Sequence, residues 1–135
     1  MRIHTMRTLL LLFIAFLAGP SAVLAGNPNG PSTNTSADEE VGLLVERNKT
    51  EVVLNLSVKD ITQYDHIIVE RSADNPNYFG QCKYITCADE KTTDGKIVKV
   101  DRFPFPATKD VFYRLKTVTK DGIVRAYPAV LLAAQ

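Results

Sequence analysis

The chain has 135 residues, 45% of them hydrophobic, with 16 basic and 15 acidic side chains and a formal charge of +1. So even a balance leaves no electrostatic footprint for nucleic acid and no polybasic patch for a membrane surface. Its length beyond the first residues fits one domain of ordinary size, able to bury a core.

Met1 to Arg7 carries Arg2 and Arg7, Thr8 to Ala18 is almost wholly apolar, and Gly19-Pro20 precedes Val23-Leu24-Ala25. A charged start, a short apolar run and small residues at a cut define a secretory signal peptide. The run is shorter than the ~20 residues that span a bilayer, so cleavage after Ala25 is expected rather than membrane insertion. Cleavage removes two arginines and no acid, which leaves 14 basic against 15 acidic side chains. The product is expected to be secreted or periplasmic. Residues 26–38 (GNPNGPSTNTSAD) hold no large apolar side chain and are expected to form a flexible linker.

From there the period is two. Val41, Leu43 and Val45 alternate, Asn48-Lys49-Thr50 breaks the run, and Val52, Leu54, Leu56 and Val58 face one way while Glu51, Val53, Asn55 and Ser57 face the other. His66 to Ser72 reads as a third strand with Ile67 and Val69 inward and Ile68 outward. Asp74 to Asn77 is a turn cluster, and Tyr78 to Ile85 a shorter strand anchored by Phe79. Asp94-Gly95 turns the chain into Lys96 to Asp101. The connection Phe103-Pro104-Phe105-Pro106 cannot sit in a central strand, because proline lacks an amide donor.

In Val111 to Ile123, Val111, Tyr113, Leu115 and Thr117 share one side, and Asp121-Gly122 has the composition of a two-residue hairpin turn. Ile123 to Leu132 is the last strand, with Pro128 marking an edge or a bulge. No sustained helical period interrupts residues 39–135. The expected class is all-β, about seven strands in two antiparallel sheets packed face to face.

Two stretches, IVERSADNPNYF (Ile68 to Phe79) and YRLKTVTKDG (Tyr113 to Gly122), together resemble fibronectin type III-like modules of bacterial secreted and surface proteins. The resemblance covers roughly residues 40–132. Val111 stands where that family often has a tyrosine that pins a corner, and Leu56 where it often buries a tryptophan. What the resemblance implies is an antiparallel immunoglobulin-like (fibronectin type III-like) β-sandwich of about seven strands, a scaffold or recognition module without catalytic activity.

Cys82 and Cys87 are the only cysteines, and export favours a disulfide between them. Five residues of continuous strand would hold their α-carbons roughly 16 Å apart, so a bridge requires the chain to turn between them. Redox or metal chemistry is the alternative, but the C-x4-C spacing and the lack of a neighbouring histidine disfavour it. His66 is the single histidine beyond the signal peptide, and no nucleophile motif such as G-x-S-x-G accompanies it. Asp89, Glu90 and Asp94 lack calcium-loop spacing. No catalytic residue, metal site or cofactor is therefore assigned. Asn34, Asn48 and Asn55 head N-glycosylation tripeptides, which matter only in a eukaryotic source.

The candidate interaction surface comprises Val53, Ile68, Tyr78, Phe103 and Phe105, with Val53 and Ile68 expected outward on adjacent strands as one apolar patch. The expected function is non-catalytic binding or spacing, with a protein or glycan partner. A carbohydrate-binding module is the alternative, and a small hydrolase built on His66 a distant one.

Overall fold

The computed structural model describes residues 40–135 together with the strand Ser32–Thr33. The expected signal peptide over residues 1–25 lies outside the described residues, as does the expected linker over 26–38 apart from Ser32 and Thr33.

The described residues form nine strands: β1 (Ser32–Thr33), β2 (Val41–Asn48), β3 (Glu51–Val58), β4 (Tyr64–Ala73), β5 (Gly80–Thr86), β6 (Lys96–Asp101), β7 (Val111–Thr119), β8 (Val124–Ala126) and β9 (Val130–Leu132). All pair antiparallel. One sheet has the order β1-β2-β3-β6. The other runs β5-β4-β7, and β7 is then flanked by β9 along its first half and β8 along its second. The expected count of about seven rises to nine for two reasons. Ser32 and Thr33 pair with Val45 and Leu44, and the last strand breaks in two around Pro128.

Alternation decides which side chains go inside. Val41, Leu43 and Val45 of β2 pair with Val58, Leu56 and Leu54 of β3, and all six are buried. Val111, Tyr113, Leu115 and Thr117 of β7 are buried as well, opposite Ile67 and Val69 of β4. These inner faces form one apolar cluster between the sheets, joined by Ile85, Ile97, Tyr127, Val130 and Leu132. Each large aliphatic side chain buried there contributes about 1.5–3 kcal/mol. Phe79 is not the anchor of β5. It is only partly buried, outside the strand, and Ile85 supplies the buried contact instead.

The turns carry the positive-φ residues. Asp94 and Gly95 lie at φ 52° and 69° between the paired Thr93 and Lys96, the geometry of a two-residue hairpin. The Gly95 carbonyl accepts from the Val58 amide at 2.7 Å, and a Cβ on Gly95 would sit 2.5 Å from the Val58 oxygen. The Asp121-Gly122 turn differs from expectation. Only Gly122 has positive φ, at 87°, and the Thr119 amide donates to the Ile123 carbonyl at 2.9 Å. Lys120, Asp121 and Gly122 thus form a three-residue loop, with glycine at its left-handed position. The Thr119 hydroxyl stabilises it by donating to Asp121 and accepting from the Ile123 amide.

The sheet edges at β5, β6 and β8 are defended. On β6, an edge strand, the inward side after Ile97 is occupied by Lys99 and Asp101, and Lys99 reaches Glu90 at 2.8 Å. The β4–β5 register shifts beside Val69 and Glu70, and Pro128 follows β8. Inward charges, bulges and prolines each hinder pairing with another strand.

Candidate interaction surfaces

At one end of the two sheets, a buried polar cluster fixes the loop that joins β6 to β7. Asp101 closes β6, and Arg71 stands opposite Tyr113 in the β4–β7 register. Arg71 Nη1 donates to Asp101 Oδ2, and the Tyr113 hydroxyl donates to the same oxygen at 3.0 Å. The Phe103 amide donates to Asp101 Oδ1 at 3.3 Å, while Arg71 Nη1 donates to the Phe103 carbonyl at 2.8 Å. The Arg71 guanidinium also lies 4.9 Å from the centre of the Phe105 ring. Burial and then the Asp101 charge push the Tyr113 hydroxyl well above its ordinary pKa.

This cluster separates the two phenylalanines that the sequence groups together. Phe105 turns back against the core under Arg71, whereas Phe103 is 86% exposed. Tyr78, 79% exposed, lies in the β4–β5 loop at the same end. Neighbouring bonds tie this end together: the Asp74 amide to the Asp110 carbonyl at 2.9 Å, Lys109 to Asp74 at 2.5 Å, and the Gln135 amide to the Ala107 carbonyl at 2.8 Å.

Ile68 lies on the outer face of the second sheet, between Tyr84 of β5 and Lys116 of β7. His66 stacks on Tyr84 with ring centres 4.7 Å apart, and its Nδ1 is 2.6 Å from Asp65 Oδ2. Beside them Glu70 is buried and receives Arg114 Nε at 2.6 Å and Lys116 Nζ at 3.1 Å. Burial works to raise the Glu70 pKa, but these two donors outweigh it and hold the carboxyl below its usual value. Arg114 covers the Phe79 ring at 4.0 Å.

Val53 lies on the outer face of the first sheet, between Glu46 of β2 and Val100 of β6. Val53 and Ile68 therefore do not form one patch. The chain crosses from one sheet to the other between β3 and β4, so strands consecutive in sequence are not neighbours, and the two side chains point away from opposite faces. The first sheet's outer face carries a feature that the sequence reading missed. A hollow of about 450 Å³ lies over β2, β3 and β6, lined by Leu44, Glu46, Asn55, Ser57, Lys96 and Val98. Val98 is 60% exposed. Alternation in Lys96 to Asp101 would have placed it outward, but nothing in the sequence says which strands flank it.

Cys82 and Cys87 are free, which corrects the expected disulfide. The chain does not turn between them: β5 runs extended through Thr86, and a single 3-10 turn begins only at Cys87. Burial, followed by the nearby Asp101 charge, pushes the Cys82 thiol up to about 11, and burial also raises Cys87. Among the described residues no group of three or more metal-ligating side chains occurs, and Glu90 is paired with Lys99. No helix among them is long and apolar enough to cross a membrane.

Comparison with protein-family models, with curated proteins and with solved structures finds no match for this chain.

Proposed function

We propose that the chain is an exported, non-catalytic module of the fibronectin type III-like kind. It acts by binding a partner, or as a spacer, in the cell envelope or extracellular space. The strand order supports this reading. In immunoglobulin-type sandwiches the first, second and fifth strands share one sheet and the third, sixth and seventh the other. With β1 set aside, β2, β3 and β6 share one sheet here, and β4, β7 and the β8–β9 pair the other. Strand β5 joins the latter sheet, where a constant-type domain would add its fourth strand to the former.

The observation that carries the binding role is Phe103, an aromatic side chain held out into solvent on a backbone bonded on both sides. Interface energy concentrates in aromatic anchors whose ordering cost is already met before docking. The sugar-binding alternative would need a broad aromatic platform. His66 covers one face of Tyr84 and Arg114 covers Phe79, which favours a protein partner.

Site-specific photo-crosslinkers at Phe103, Tyr84 and Glu51 in the exporting cell test this reading. The expected result is a discrete crosslinked species at Phe103 and a processed chain that begins at Gly26. Retention of residues 1–25 on a cytoplasmic chain, or no crosslinked protein at any of the three positions, would overturn it.

A further inference from the structure

The surface holds a knob and a hollow of matching character. The knob is Phe103, projecting from a loop whose backbone is bonded to Arg71 and Asp101. The hollow is the 450 Å³ depression on the outer face of the first sheet, with Leu44 and Val98 as its apolar side chains and Glu46 and Lys96 as its charged ones. A phenyl ring fits within that volume. Phe103 does not fill the hollow of its own chain, since it remains exposed and follows Val98 by five residues, on the order of 16 Å of extended chain.

Charge agrees with shape. Beside Phe103 stand Arg102 and Glu51, both exposed enough to meet a partner and only 4.0 Å apart at their nearest charged atoms. The hollow offers one carboxylate, Glu46, and one ammonium, Lys96. Each charge at the knob thus has an opposite at the hollow, an arrangement that selects a partner and fixes its orientation.

We propose that the partner is a second copy of this chain, with Phe103 of one copy seated between Leu44 and Val98 of the next. Arg102 then faces Glu46, and Glu51 faces Lys96. This rests on reading the chain as a binding or spacing module and names what that module binds. Knob and hollow are different surfaces, so the contact is head-to-tail, and each copy keeps a free knob and a free hollow. Such a contact propagates from copy to copy, closing into a ring where the rotation between copies allows and otherwise extending into open rows. The defences on the edges of β5, β6 and β8 hinder strand addition there and favour side-chain docking as the route to association.

Sedimentation equilibrium of the full chain, as its expression host processes it, tests this between about 10 μM and 1 mM, the range in which a small interface registers. Mean mass is expected to rise steadily with concentration. Phe103→Asp and Val98→Lys alter exposed side chains, so each variant should keep the wild-type unfolding midpoint while its self-association weakens at least about tenfold. An equimolar mixture retains one working knob and one working hollow, and is expected to form one-to-one pairs and nothing larger. A wild-type chain that stays monomeric throughout, or a mixture that forms no pairs, overturns the proposal. In either case, crosslinking of Phe103 to a different protein would leave the binding role standing.

Discussion

Arg71 of β4 and Asp101 of β6 form a partly buried ion pair that ties one sheet to the other across thirty residues of sequence. Asp101 also accepts from Tyr113 and from the Phe103 amide, so one carboxylate organises both the sheet contact and the loop beside it. Removing one member of a buried pair leaves the other charge without compensation. Arg71 keeps part of its guanidinium in water, so Asp101→Ala is expected to cost about 2–3 kcal/mol in urea unfolding. Tyr113→Phe deletes one hydroxyl and should cost about 1–2 kcal/mol. Equal small effects from both substitutions would mean that the cluster does not hold the sheets together.

The two turn glycines should respond unequally to alanine. Gly122 has positive φ and open space around it, so Gly122→Ala should cost about 1–2 kcal/mol, the strain of a left-handed side chain. Gly95 has positive φ as well, and an added Cβ would meet the Val58 carbonyl oxygen at 2.5 Å. That oxygen belongs to backbone and cannot swing aside. Gly95→Ala should be the more destabilising of the two by thermal unfolding, and the reverse order would place the strain wrongly.

The cysteines are expected to behave as two protected thiols. Alkylation after denaturation without reductant should add two labels, and dithiothreitol should leave the unfolding midpoint unchanged. In the folded chain at pH 8, labelling of Cys82 should be slow, because its thiol titrates at about 11 and the thiolate is the reactive form. A mass two hydrogens short before reduction would indicate a bridge instead.

Stability should fall at both ends of the pH range. Glu70 is held low by Arg114 and Lys116, so its contribution is present above the unfolded value, near 4.5, and is lost as pH falls through the folded one. Glu70→Gln should flatten the acid limb. Cys82 and Tyr113 are shifted upward from 9.0 and 10.0, so their contributions are present below those values and fade as pH rises beyond them. Cys82→Ala should flatten the limb between about pH 9 and 11, read as urea midpoint against pH. A variant that leaves its own limb unchanged would show that the group is not linked to folding.

The sequence by itself determined which side of each strand faces inward. Leu54, Leu56, Val69, Tyr113 and Leu115 follow a period of two, a property of any extended chain whatever lies beside it. The Asp94-Gly95 turn is legible for the same reason, since the φ/ψ demand of a two-residue hairpin is local. Only the tertiary structure decided which strands are neighbours. Val52–Val58 could have paired with several equally apolar strands, and its pairing with β6 rather than β4 sends Val53 and Ile68 to opposite faces. The separation of Cys82 from Cys87 depended on where β5 stops, and the partner of Asp101 on how the two sheets stack. Neither is written into a local pattern, because a strand's alternation records that a face is buried and not what buries it.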